Sequence, residues 1–90
     1  YLVEAHSAYE QAVRLDPQNA EYRLLCGNTY YQLGYYEKAL EAYQAAVELD
    51  PTLAVGWYNL SILYTHFGQN RQARQASKKA QRLGYPVPSL

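Results

Sequence analysis

Nucleophilic catalysis needs an activated thiol or hydroxyl with a base in hydrogen-bond reach. The chain holds one thiol, Cys26, and two imidazoles, His6 and His66, all far apart in sequence. No motif joins them: there is no Gly-rich phosphate loop, no G-x-S-x-G, no H-E-x-x-H and no calcium loop. A metal site needs several Cys or His at short spacing, so none is expected, and a single Cys has no internal disulfide partner. A thiol at a core-facing helical position is the ordinary case. The sequence points away from an enzyme and implies no cofactor.

Anion binding is the second chemistry on offer. Arg71, Arg74, Lys78 and Arg82 step by three, four and four, which is one face of a helix, with Lys79 beside them. Such a stripe suits nucleic acid, an acidic protein or a lipid headgroup. No aromatic residue interleaves with these cations along 70–83. Lys and Arg near a helix C-terminus are also favoured by its dipole. A solvated end-helix is therefore the preferred reading, and anion or nucleic-acid binding the lesser one.

Charge is distributed unevenly although the net charge is zero. Residues 1–50 hold eight acids against Arg14, Arg23 and Lys38, a net of −5, while residues 51–90 hold five bases and no acid. An acidic front and a basic end would suit head-to-tail self-association, an alternative role as a structural oligomerisation module.

Positioning of these side chains falls to helices. Ninety residues, 49% hydrophobic and 18% charged, fit one small globular domain. No apolar run reaches membrane-span length and no signal-peptide pattern is present. The compartment stays open, with a soluble cytoplasmic setting the default. The chain has no Met and begins Tyr1-Leu2-Val3, so it is expected to be a piece of a longer protein.

Leu15-Asp16-Pro17 returns as Leu49-Asp50-Pro51 after 34 residues. The same shift aligns Ala5, Ala39 and Ala73, then Ala12, Ala46 and Ala80, and pairs Tyr9 with Tyr43 and Tyr30 with Tyr64. Apolar residues recur at three and four, as Tyr36, Ala39, Leu40, Tyr43, Ala46 and Val47 do, which is the helical period. In 54–67 the stripe Trp57, Leu60, Tyr64 and Phe67 is the expected core face. Asp-Pro stops helices, because the residue before Pro avoids the helical region and Pro cannot continue the ladder. Five helices are predicted, over about 2–15, 20–33, 36–49, 54–67 and 70–83.

A repeat of this length with W-x2-L-G-x2-Y, then A-x3-F, then P, resembles the tetratricopeptide repeat (TPR). Here the first half reads Trp57-x2-Leu60-Ser61-x2-Tyr64 and Arg23-x2-Cys26-Gly27-x2-Tyr30. The second half reads Ala39-x3-Tyr43 with Pro51, and Ala5-x3-Tyr9 with Pro17. Arg23, Cys26 and Ser77 depart from the usual Trp, Leu and aromatic. The resemblance implies an all-α, antiparallel helix-pair solenoid, a right-handed superhelix of about two and a half repeats. Its expected units are 1–19, the second helix of a partial repeat; 20–53, a complete repeat; 54–84, the last repeat with a polar capping helix; and 85–90, a tail. Small residues such as Gly27, Ala39, Ala46, Ala73 and Ala80 let paired helices approach, and Trp57, Tyr30, Tyr64 and Tyr43 fill the gaps.

The resemblance also implies a concave groove lined by the first helix of each pair, which would hold a peptide or helix of a protein partner. A second stripe of Val55, Tyr58, Ile62, Thr65 and His66 lies beside the core stripe. A helix apolar on two faces is either buried on both or open to a partner. The candidate groove residues are Leu24, Asn28, Tyr31, Gln32, Tyr58, Asn59, Ile62 and His66. One TPR subtype clamps a C-terminal carboxylate with Lys, Asn and Arg. Asn28 and Asn59 match two of those positions, but Leu24 stands where Lys is required, so no clamp is expected. The partner is instead expected to be an apolar or amphipathic segment. The Asn59-Leu60-Ser61 sequon falls mid-helix and is discounted.

The Leu-Asp-Pro phrase does not return a third time: Leu83-Gly84-Tyr85 stands there. Arg74, Ser77 and Gln81 occupy the places of Leu40, Tyr43 and Val47, so this face is polar, as an outer capping face must be. Gly84 is expected to cap the helix, with Pro86 and Pro88 preventing its continuation. The array is expected to end here, with missing repeats upstream of Tyr1.

Overall fold

The computed structural model describes residues 1–86. Five helices follow one another: α1 (Leu2–Leu15), α2 (Ala20–Leu33), α3 (Tyr36–Leu49), α4 (Ala54–His66) and α5 (Asn70–Arg82). Each packs on its neighbours in chain order, which makes an all-α helical solenoid measuring 37 × 24 × 18 Å. The last two helices end one residue earlier than the spacing predicts, and the expected stop at Pro88 lies outside the described residues.

Local chemistry sets the helix ends. Asn19 Oδ1 accepts from the Tyr22 amide at 3.0 Å, which satisfies one orphan donor at the start of α2. Gly34 and Gly68 occupy the same turn in successive repeats, with φ of 86° and 75°. That conformation lets the next amides, of Tyr35 and Gln69, bond back to Tyr30 O and Tyr64 O at 2.9 and 2.8 Å. Gly84 closes α5 in the same way, with φ of 95° and the Tyr85 amide on Ala80 O at 3.0 Å. Asp50 accepts from the Thr52 hydroxyl and amide at 2.6 and 3.0 Å, and these bonds hold its carboxyl below the usual carboxylate range.

The core joins Leu24, Ala39, Tyr43, Ala46, Val47, Leu60, Leu63 and Ala76. Alanines permit close approach, and the buried face of α5 is alanine throughout: Ala73, Ala76 and Ala80. A Cβ at Gly27 would lie 2.6 Å from the Tyr43 ring, so α2 and α3 meet at this distance only because the side chain is absent.

Two expectations need correction. Phe67, read as a core residue, is 36% exposed, while Leu63 is fully buried. Phe67 follows the last residue of α4 and so leaves the helical face, whereas Leu63 lies one turn beyond Leu60 on the flank that α5 covers. Leu24, read as a groove residue, is only 8% exposed and belongs to the core. Packing into the core with Tyr43 and its neighbours leaves it little surface to offer a partner.

Candidate functional site

α2 and α4, the first helices of the two full repeats, lie side by side. They frame a recess of about 260 Å³ lined by Asn28, Tyr31, Gln32, Tyr43, Asn59 and Ile62. Five of the eight candidate groove residues meet there. Tyr31 and Ile62 are 41% and 39% exposed, and Gln32 is exposed on the rim.

The amides are held in place. Asn28 Oδ1 accepts from Tyr43 OH at 2.6 Å and from Asn59 Nδ2 at 3.3 Å. This commits the Asn28 carbonyl and leaves its Nδ2 group as a donor. Tyr43 reaches the recess from α3 behind, with its ring buried and its phenol pushed up to about 12 by burial, then by the neighbouring Tyr31. The sequence reading missed Tyr43 because it assigned that side chain to the core alone. Its hydroxyl was the available signal, since a buried phenol needs a partner.

An aromatic cluster sits at one end of the recess. Tyr31 meets Tyr36 edge-on at 5.3 Å, and Tyr36 meets His66 at 4.6 Å. His66 also meets the Phe67 ring at 5.0 Å. His66 is exposed, with its ring resting against these aromatics. Towards the C-terminus, Tyr58 is half-buried beneath Tyr85, the two rings stacked at 4.8 Å. Tyr85 follows Gly84, whose turn aims the chain back over α4. No spacing rule in α4 could have shown this cover.

No hydrogen bond joins Cys26 to His6 among the described residues. Cys26 is buried, and burial pushes its thiol up, with Glu10 adding to the shift. His6 Nδ1 is paired with the Thr29 hydroxyl and its Nε2 lies 3.4 Å from Glu10. The Ser61 hydroxyl of the sequon is buried and donates to Tyr58 O at 2.6 Å. Among the described residues no cluster of His, Cys, Asp or Glu could hold a metal, and no helix is long and apolar enough to cross a membrane. Arg71, Arg74, Lys78 and Arg82 are all exposed on α5.

The chain is 30% identical to protein bimA of Emericella nidulans over 80 residues, covering 89% of this chain and 10% of that protein. It is 38% identical to the protein O-mannosyl-transferase TMTC3 of Mus musculus over 63 residues, 70% of this chain and 7% of that protein. It therefore spans a tenth or less of these relatives. Among solved structures, a crystal structure of MamA superposes with a TM-score of 0.86 at 24% identity, covering 92% of this chain and 48% of that one. The second TPR of Spaghetti (RPAP3), bound to an HSP90 peptide, superposes with a TM-score of 0.87 at 21% identity, covering 91% and 76%. Both likenesses show a shared fold. The family model for the TPR repeat matches residues 2–34 and 27–65. With the helix-pair architecture and the 34-residue period, this match places the chain in the tetratricopeptide repeat family.

Proposed function

We propose that this chain is a non-catalytic protein-interaction module that holds an uncharged, partly apolar peptide segment in the recess between α2 and α4. The observation that carries the reading is the convergence of Asn28, Tyr31, Gln32, Asn59 and Ile62 on one open recess. Ile62 and Tyr31 offer apolar surface, and the Asn28 and Gln32 amides offer hydrogen bonds without charge. The RPAP3 domain binds an HSP90 peptide. Leu24, buried where a carboxylate clamp needs Lys, argues for a different ligand here. Panning a random peptide library against the chain and its Ile62→Asp variant tests the proposal. Uncharged peptides should be enriched on the parent and lost from the variant, with helicity unchanged by circular dichroism. Equal enrichment on both would sink it.

A further inference from the structure

The sequence separates the cations of α5 from any aromatic residue; the fold brings them together. On the side of α4 away from the peptide recess, a cleft of about 300 Å³ runs between α4 and α5. Trp57 and Tyr64 line it from α4, and Lys79, Arg82, Gln72 and Gln75 line it from α5. The volume is at the lower end of the range for small-ligand sites, about 300 Å³ and upward. The Trp57 indole is anchored by its edge, Nε1 donating to Pro51 O at 2.9 Å. One ring face is turned to Lys79, whose Nζ stands 5.9 Å from the ring centroid.

The preceding repeat supplies an internal control. The matching cleft there is lined by Glu10, Glu41, Arg14, Arg23, Lys38 and Tyr30, a mixture of both signs in which Lys38 Nζ stands 5.9 Å from the Tyr30 ring centroid. One repeat on, Glu41 becomes Gln75, Ala45 becomes Lys79 and Arg23 becomes Trp57. The carboxylate of Glu41 and the cation of Lys38 have both given way to amides, Gln75 and Gln72, and Trp57 joins Tyr64, whose counterpart Tyr30 already lines the preceding cleft. Among the described residues no Lys or Arg side chain is ion-paired with a carboxylate, and residues 51–90 contain no acid at all. Arg82 belongs both to the cleft and to the exposed stripe Arg71, Arg74 and Lys78. The helical rise sets successive cations of that stripe roughly 5–6 Å apart.

We infer that the α4–α5 cleft is a binding site for single-stranded nucleic acid. A base stacks on Trp57, the Gln72 and Gln75 amides meet its edge, and Lys79 with Arg82 takes the adjacent phosphate. The strand then runs along the basic stripe. A flat aromatic beside cations and amides favours nucleic acid over an acidic peptide, which offers no ring to stack. This site stands apart from the peptide recess and does not depend on it.

Trp57 is the only tryptophan, so its fluorescence reports on the cleft directly. The full chain is titrated with an oligouridylate of about ten nucleotides. Saturable quenching is expected, with an affinity that falls steeply between about 50 and 200 mM salt. A Lys79→Gln/Arg82→Gln variant should bind at least roughly tenfold more weakly and lose about two from the salt slope. Arg71→Gln/Arg74→Gln should lower the slope while leaving the saturating quench intact. Arg71, Arg74 and Arg82 are exposed and Lys79 is half-buried, and circular dichroism checks that the helices persist in both variants. The inference is overturned by absent quenching, by unchanged binding of the cleft variant, or by equal affinity for polyglutamate or phosphatidylserine vesicles.

Discussion

Where α2 carries Arg23, α4 carries Trp57, and each bonds the equivalent proline carbonyl of its preceding turn. Arg23 Nε and Nη2 donate to Pro17 O at 3.3 and 3.0 Å, and Trp57 Nε1 donates to Pro51 O at 2.9 Å. One turn later Cys26 stands opposite Leu60, and both are buried. Further along, Tyr30 donates to Glu10 at 3.0 Å, while Tyr64 accepts from Gln44 at 3.1 Å. Even the close approach is matched: Gly27 faces Tyr43, whereas Ser61 stands in a repeat whose Tyr43 equivalent is Ser77. What the two repeats share is thus a set of contacts, and different side chains can supply each one. At these matched positions α2 uses polar and charged side chains where α4 uses apolar or aromatic ones.

That contrast can be broken by mutation. Leu60→Ala removes a fully buried side chain from the centre of the core and should cost about 2–5 kcal/mol. Cys26→Ala removes a single sulfur and should cost about 1 kcal/mol. Urea denaturation measures both, and equal losses would mean that the second repeat is no more dependent on apolar bulk than the first.

Gly27→Ala should cost about 1–3 kcal/mol, because the new Cβ meets the rigid, buried Tyr43 ring and helix propensity cannot offset the clash. Ser61→Ala should stay within about 0.5 kcal/mol, since the hydroxyl only bonds back to its own helix. A neutral Gly27→Ala would show that α2 and α3 can separate without loss.

The smallest effect is read at Tyr30 by pH. Burial, then the hydrogen bond and charge of Glu10, push the Tyr30 phenol up to about 12. In the unfolded chain it would ionise near its ordinary value of 10.0. The folded state therefore holds the proton longer, and its contribution is complete below pH 10.0 and lost as pH rises to about 12. Tyr43 adds a loss in the same window. Glu10→Gln copies Gln44, the residue that bonds Tyr64, and should shift one phenolate absorbance step to lower pH. An unmoved titration would remove Glu10 from the account.

Much of the architecture was legible because it is local. Asp-Pro and the turn glycines punctuate the chain, the 3.6-residue period marks the helices, and the 34-residue return of Leu-Asp-Pro marks the stacking unit. The recess was partly legible: Asn28, Tyr31, Gln32, Asn59 and Ile62 share a helical face by spacing alone, and they do meet.

Coverage was not legible, because periodicity states which residues share a face and is silent on what lies against it. Leu24 and Ile62 both read as second-stripe residues, yet packing closes over one and leaves the other open. Tyr58 is covered by a ring from beyond α5, and Tyr43 lends its hydroxyl across helices to Asn28. The cations of α5 gain aromatic neighbours only when α4 is laid alongside. Sequence alone determined the helices and their repeat, since these follow from bonds and spacings within a few residues. Tertiary structure decided which faces stay open and which side chains meet, since burial and contact depend on segments that come together only when the helices stack.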